Sequence, residues 1–161
     1  MKNILSIDLE SFVHINPDNK DSSKVRKQKD NEYIIKVTEY LLIQLKKHNQ
    51  KATFFTVAEI YDWYPELIKK IQKQGHEVAF HTFSHKKLKN KDILEKELKD
   101  SKKFIKELKP KGFRAPQIYF KKDYFRVLER YNFKYDSSSY GGKVKKYKSD
   151  ISEKDYPIFD S

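Results

Sequence analysis

The sequence contains no cysteine. Disulfides, thiolate metal sites and a cysteine nucleophile are therefore excluded, so any metal ion must be held by nitrogen and oxygen ligands. The chain also lacks an apolar run of the roughly 18 to 20 residues that a membrane-spanning helix needs. Its first apolar stretch is interrupted by Asp8 and Glu10 before the core of a signal peptide can form. These absences predict a cytoplasmic protein without a membrane span.

Arginine is scarce, although the net charge is +12 at pH 7. The arginines are Arg26, Arg114, Arg126 and Arg130, and the remaining positive charge comes from lysine. Clustered cations favour nucleic-acid binding, because they release counterions from phosphates. Here the lysines alternate with acids along segments such as 91–109, a pattern typical of a solvated helix face. We therefore expect no nucleic-acid partner.

Apolar patterning alternates between strands and helices along a chain whose 161 residues fit one domain. Strands are predicted at 3–8, 52–57, 76–81, 111–116 and 133–138, with a sixth at 156–159, and helices at 32–48, 65–74, 91–108 and 124–131. The stretch between the first strand and residue 31 is polar and predicts a long loop. The alternation implies parallel strands with right-handed helical crossovers, in a closed barrel or an open sheet.

Four polar residues fall at the carboxyl ends of predicted strands: Asp8, His81, Arg114 and Asp136. Sites of α/β proteins are built at that edge, because the loops that follow the strands converge there. Taken singly, Arg114 can also form a surface ion pair, and the Asp136 side chain can start a turn. Their common position favours one shared site.

Two histidines four positions apart, His81 and His85, can converge on one ion in a tight loop or in one helical turn. Asp8 and Glu10 are two positions apart, so both carboxylates lie on one side if the strand continues between them. One carboxylate can then bind a metal while the other accepts a proton from water. Separately, the acids can be solvated and the histidines can be one core and one surface residue. Together they favour a divalent-metal site.

In this order, the segments SIDLES, ATFFTV, GHEVAFHTFSH, GFRAP and FKYDSS resemble the polysaccharide deacetylase family, also called the NodB homology domain. The resemblance runs from residue 3 to about residue 139. The Asp-x-Glu form of the first motif is similar to the branch that reads Asp-Val-Glu-Asp. The family fold is an irregular (β/α) barrel, so the resemblance implies one such domain over 1–161 that lacks its last strands and is incomplete at its C-terminus.

The resemblance also implies roles for the matching residues. Asp8 would be the catalytic base, held by Arg114. Glu10, His81 and His85 would bind a divalent metal, commonly zinc. The implied reaction is metal-dependent hydrolysis of an N-acetyl group on an amino sugar or polysaccharide, with release of acetate.

Two further roles follow from the same resemblance. The backbone N–H near Gln117 would help to bind the oxyanion, and Asp136 would correspond to the acid that orients a catalytic histidine in a late motif. No histidine follows His85, and of the others only His14 is placed near the presumed site. The general acid of the family is therefore missing from this sequence.

Three hypotheses remain open at this point. The first is a hydrolase of an N-acetylated carbohydrate, or of a small cyclic amide. The second is a degenerate deacetylase-like domain that binds a metal or a sugar without turnover. The third is a basic nucleic-acid-binding domain, for which binding must depend steeply on salt. The sequence does not reveal the oligomeric state.

Overall fold

The described part of the chain consists of an alternating series of short parallel strands and amphipathic helices. The computed structural model describes residues 4–16 and 18–138. The strands are β1 (Ser6–Leu9), β2 (Thr53–Thr56), β3 (Glu77–Phe80), β4 (Gly112–Phe113) and β5 (Tyr135–Asp136). The helices are α1 (Ser23–Asp30), α2 (Tyr33–Lys47), α3 (Ala58–Trp63), α4 (Pro65–Lys73), α5 (Lys91–Asp100), α6 (Lys102–Leu108) and α7 (Phe125–Arg130), with short 3-10 turns at Phe12–His14, Pro116–Ile118 and Lys122–Tyr124.

The five strands form one parallel sheet in the order β1-β2-β3-β4-β5. Consecutive order is the arrangement of a (β/α) barrel, whereas doubly wound sheets reverse their order at a switch point. In this order every carboxyl end lies at one edge, so the loops after β1, β3 and β4 emerge side by side. This edge carries the candidate site.

Alternate residues of the strands point to opposite faces of the sheet. One face packs under the helices, where Phe80 contacts the rings of Phe104, Phe113 and Phe133 at centroid distances of 5.8, 5.9 and 5.6 Å. All four side chains are almost completely buried. The other face carries Asp8 on β1, which aligns with the buried Phe55 and Ala79 of the neighbouring strands. Asp8 is therefore an exposed acid on a face that is otherwise buried at these positions.

The structure corrects several predicted elements. The predicted loop up to residue 31 contains α1, whose sequence has Val25 as its single apolar residue, too few to produce helical periodicity. The predicted helix at 91–108 is divided at Ser101, whose hydroxyl donates to the Glu97 carbonyl and whose backbone leaves helical geometry. Helix α3 was not predicted. The strands are shorter than predicted, and the proposed sixth strand lies outside the described residues.

No helix within 4–16 or 18–138 combines the length and the apolar character needed to cross a bilayer.

Candidate metal centre

Three side chains converge where β1 and β3 end. One ligand atom from each of Glu10, His81 and His85 lies within 4.8 Å of the others. His85 Nε2 and Glu10 Oε2 are 3.0 Å apart. Two ligands bound to one zinc-sized ion at about 2 Å would lie roughly 3.3 Å apart in tetrahedral geometry, so this spacing is suitable for a shared ion.

The second ring nitrogen of each histidine is held by a backbone carbonyl. His81 Nδ1 donates to the Arg114 carbonyl at 2.7 Å, and His85 Nδ1 donates to the His14 carbonyl at 3.0 Å. A carbonyl can only accept, so each Nδ1 carries a proton, and each Nε2 is the nitrogen left to bind an ion. This second contact fixes the tautomer and the ring orientation, as is usual for metal-binding histidines.

Glu10 Oε2 is shielded from solvent and has no hydrogen-bond partner of suitable geometry among the described residues. It lies 3.0 Å from His85 Nε2, and when that nitrogen carries no proton, as a metal ligand requires, the two atoms are opposed acceptors. A cation between them removes this conflict, because it accepts electron density from both. The orphaned carboxylate oxygen is thus the observation that fits a metal to this site.

The protonation states also suit a cation. Burial lowers the pKa of His81 to about 4, so the imidazole is neutral at pH 7. Burial raises the pKa of Glu10, but the neighbouring His85 lowers it by more, so this pKa lies below its ordinary value. One carboxylate and two imidazoles make a donor set that matches a divalent ion such as zinc.

The loop that carries both histidines is held by Glu97 of α5. The Glu97 carboxylate is buried and accepts from the backbone N–H groups of Phe83 and Ser84, at 3.0 and 2.8 Å, and from the Ser84 hydroxyl at 3.0 Å. Thr82 and His85 have positive φ values of 64° and 60°, which non-glycine residues seldom adopt. The hydrogen bonds of Glu97 therefore stabilise a loop conformation that the chain would not adopt locally.

We predict that Glu97→Gln lowers the affinity for a divalent ion by about tenfold. This is the lower end of the loss in metal affinity that is usual when a residue that orients the metal ligands is replaced. The amide can accept fewer hydrogen bonds from the loop, so the two imidazoles lose part of their fixed orientation. Competition with a chromogenic chelator measures the affinity. Glu95→Gln, on the partly exposed side of the same helix, is the matched control and should bind the ion like wild type. Equal affinities for both variants would show that Glu97 does not position the loop.

Arg114 connects three strands at the same edge. Its Nη1 donates to Asp8 Oδ1 at 2.6 Å, and its Nη2 donates to the hydroxyls of Ser6 and Ser137 at 3.0 and 2.8 Å. The guanidinium also lies 3.9 Å above the ring of Phe55. A cation held this way fixes the orientation of the Asp8 carboxylate at the same edge of the sheet, because Asp8 belongs to β1 and Arg114 follows β4.

The two remaining predicted site residues are less closely connected to this cluster. By register Asp136 aligns with Phe113 and Phe80, so it starts on the helix side of the sheet. Its carboxylate accepts from the backbone and hydroxyl of Ser138, at 3.0 and 2.6 Å, which is a local turn contact. Gln117 has a left-handed backbone with φ 56° in the turn after β4. Their catalytic roles stay predictions.

Most of the described chain matches a known protein family. A family model described as "Polysaccharide deacetylase" matches residues 18–135, more than half of the sequence. The chain belongs to the polysaccharide deacetylase family. The resemblance inferred from the motifs is thereby confirmed, while the Asp-Val-Glu-Asp branch stays a prediction. Divalent-metal dependence is general in this family, and the Glu-His-His cluster agrees with it.

Several relatives of this family are peptidoglycan deacetylases. A peptidoglycan-N-acetylglucosamine deacetylase of Bacillus cereus is 31% identical over 96 residues, 57% of this chain and 45% of the relative. Peptidoglycan-N-acetylmuramic acid deacetylase PdaC of Bacillus subtilis is 33% identical over 83 residues, 50% of this chain and 17% of the relative. The crystal structure of the Bc1960 peptidoglycan N-acetylglucosamine deacetylase matches with a TM-score of 0.56 and 30% identity, covering 62% of this chain and 49% of that one. The deacetylase-type fold is thus confirmed, and this chain spans less than half the length of these relatives.

A buried network behind the metal centre was not predicted from the sequence. Glu59 pairs with Arg26 through two hydrogen bonds of 2.8 and 2.6 Å, and it contacts His14 Nε2 at 3.0 Å. His14 stacks on Trp63 and accepts at Nδ1 from the backbone of Ser11. His14 is therefore a structural residue in this deacetylase-family chain, and its carbonyl orients a metal ligand. The pattern of apolar and polar residues around Glu59 does not indicate that its side chain is buried beside Arg26, which belongs to a different helix.

Proposed function

We propose that this chain carries the metal centre and catalytic base of a hydrolase that removes the N-acetyl group from an amino sugar in a glycan such as peptidoglycan. The observation that carries the proposal is the convergence of Glu10, His81 and His85 around an unpartnered carboxylate oxygen, beside an aspartate held by arginine. Relatives that act on peptidoglycan sugars support the substrate class. Zinc is the proposed ion, because the donors are one carboxylate and two imidazoles.

The roles of the side chains follow from their contacts. A divalent ion bound by this cluster would supply a Lewis acid that polarises the acetyl carbonyl and lowers the pKa of water. Asp8 accepts the proton of the attacking water as the C–O bond forms. Arg114 orients that carboxylate, since it donates to one of the two oxygens. The Gln117 N–H is proposed to stabilise the oxyanion. Asp136 is proposed to orient the group that protonates the leaving amine.

A second candidate is metal binding without turnover. The observation that favours it is the engagement of His14, a buried histidine that contacts Glu59. The amine that leaves when the C–N bond breaks must be protonated, and His14 is not free to act as that acid. A ring-opening hydrolase of a cyclic amide would use the same metal and base, so the substrates in the assay must include both classes.

We predict that Asp8→Asn reduces acetate release from an N-acetylglucosamine oligomer by at least about 100-fold, the usual contribution of a general base. The amide cannot accept a proton, but it keeps the size of the carboxylate and leaves the three metal ligands intact. Acetate is measured by an enzyme-coupled assay on metal-loaded chain, and the metal is measured in the same samples.

Asp92→Asn on the exposed first turn of α5 is the control and should retain wild-type acetate release. Equal rates for Asp8→Asn and wild type would remove Asp8 from the reaction. A wild-type chain that binds one ion per molecule and releases no acetate, but opens a cyclic amide, would replace the proposed substrate class. No turnover of any of these substrates would favour metal binding alone.

A further inference from the structure

A polar cleft lies directly beside the metal-binding loop. It has a volume of about 540 Å³ and is bordered by residues 18–23, by 86–89 and by the start of α5. The residue after the metal ligand His85 is Lys86, which lines the cleft, so the cleft and the metal centre share one loop. Clefts of this size accommodate small ligands such as one or two sugar units.

The charges that line the cleft are mainly positive. Four lysines contribute: Lys20, Lys86, Lys87 and Lys89. Lys121 also reaches this rim, since its Nζ donates to the Lys89 carbonyl at 3.0 Å. The Lys87 Nζ lies 4.9 Å from the centroid of the Tyr119 ring, which belongs to the turn after β4.

The other charged groups of the cleft are largely neutralised by partners. The Asp21 carboxylate pairs with Lys29 at 2.7 Å, and Arg26 pairs with the buried Glu59. The remaining carboxylate is that of Asp18. Four lysine charges therefore face one acid that has no salt bridge in the described structure, and the cleft has an excess of positive charge.

Two helix N-termini add to this field. Ser22 and Ser23, at the start of α1, line the cleft, and so does Ile93 in the first turn of α5. The N-terminal turn of a helix carries a partial positive charge. Ser22 and Asn90 already accept from the Val25 and Ile93 N–H groups, so the lysines supply most of the positive charge of the cleft.

We propose that this cleft binds an anionic substituent of the glycan, a carboxylate or a phosphate, and thereby selects an acidic N-acetylated polysaccharide as the substrate. The inference rests on the proposed function for the identity of the polymer. Because His85 and Lys86 are consecutive, a glycan whose acetamido group is held at the metal centre would extend along the loop that borders the cleft. Among the described residues that line the cleft none is aromatic, so the stacking that single-stranded nucleic acids use is not provided there.

The test compares three N-acetylated tetrasaccharides of equal length by isothermal titration calorimetry on the full, metal-loaded chain. The first contains only N-acetylglucosamine, the second carries carboxylates through N-acetylmuramic acid, and the third carries phosphate esters. The variant is Lys86→Ala/Lys89→Ala, and the control is Lys47→Ala/Lys73→Ala, which removes the same charge at two exposed positions outside the cleft. Metal content and the thermal midpoint are measured for every variant.

We expect the wild-type chain to bind an acidic tetrasaccharide about tenfold more tightly than the neutral one at low salt, with the preference reduced at high salt. The cleft variant should lose most of this preference and keep its metal, while the control variant should keep both. Whether the carboxylate or the phosphate series shows the preference identifies the natural group.

Equal affinity for neutral and acidic oligomers would overturn the inference. An acidic preference that survives in the cleft variant would also overturn it, because the anion would then bind elsewhere. Single-stranded DNA that binds more tightly than every oligosaccharide, and loses affinity in the cleft variant, would assign the cleft to nucleic acid. If acidic oligomers bind at the cleft but no acetate is released, the proposed reaction fails and the anion site stands.

Discussion

Replacement of His81 by alanine is expected to lower the affinity for a divalent ion by more than about 100-fold, because loss of a ligand exceeds the 10- to 100-fold effect of losing an outer partner. Two ligands, Glu10 and His85, would remain, and they do not enclose an ion. Elemental analysis of the purified chain should find about one ion per wild-type molecule and none in the variant. Acetate release should disappear with the metal.

The appropriate control is His48→Ala, at the exposed C-terminal end of α2, which should bind one ion like wild type. The control removes a histidine without touching the cluster, so it distinguishes a specific site from adventitious binding. Wild-type chain that remains metal-free after reconstitution with zinc would contradict the assignment of the cluster. Equal metal content in both variants would show that the ion binds elsewhere.

Glu59→Gln is expected to lower the free energy of unfolding by roughly 3 kcal/mol at pH 7, as is usual when one partner of a buried ion pair is removed. The Glu59 side chain is fully buried, and that of Arg26 is 12% exposed, so the guanidinium would lose its counter-charge inside the protein. Urea denaturation measures the change. Glu66→Gln on the exposed face of α4, which removes a solvated pair with Lys69, should leave the denaturation midpoint almost unchanged.

The same carboxylate should make stability depend on pH. Burial raises the pKa of Glu59, but hydrogen bonds from His14, Arg26 and Ser23 lower it by more, to about 2 from an ordinary 4.5. The folded form therefore holds the proton less tightly than the unfolded chain, and the stabilisation is complete above about pH 4.5 and lost as the pH falls toward 2. The difference in the free energy of unfolding between wild type and Glu59→Gln should become smaller from pH 7 to pH 3. If this difference does not depend on pH, the carboxylate charge does not stabilise the fold.

The convergence of Glu10, His81 and His85 could be predicted from the sequence, because strand ends are recognisable locally. His81 and His85 follow an apolar run that ends abruptly, and Glu10 follows another. In parallel sheets such ends meet at one edge, so residues far apart in sequence can be placed together without a structure. The motif order then indicated the family.

Glu97 and Glu59 could not be found in the same way. Glu97 lies in a segment where lysines and acids alternate, which predicts a solvated face, yet its carboxylate is buried against the metal-binding loop. Glu59 lies in a short helix that has no counterpart in the predicted elements. A charged residue contributes to the hydrophobic periodicity in the same way whether its side chain faces water or a buried partner. The partner belongs to another helix or loop, so the local sequence does not reveal it.

Helix α1 illustrates the same limit for secondary structure. Its sequence is dominated by charged residues, and what holds it in place is tertiary: Arg26 pairs with Glu59, and the buried Asp30 accepts from Ser11 and Tyr64. A short polar helix is not stable by itself, since nucleation is costly and propensity contributes little. The contacts that stabilise it form only when the chain has folded.

By itself the sequence determined the α/β class, the family and the set of residues available to bind a metal, because these depend on local hydrophobic periodicity and on residue type. Only the tertiary structure decided how those residues are held. The Arg114 and His14 carbonyls accept hydrogen bonds from the two imidazoles, and Glu97 accepts hydrogen bonds from the loop between them. A lysine-lined cleft lies next to this loop. Hydrogen-bond partners and clefts arise from the packing of distant segments, and their geometry is not contained in the pattern of any one of them.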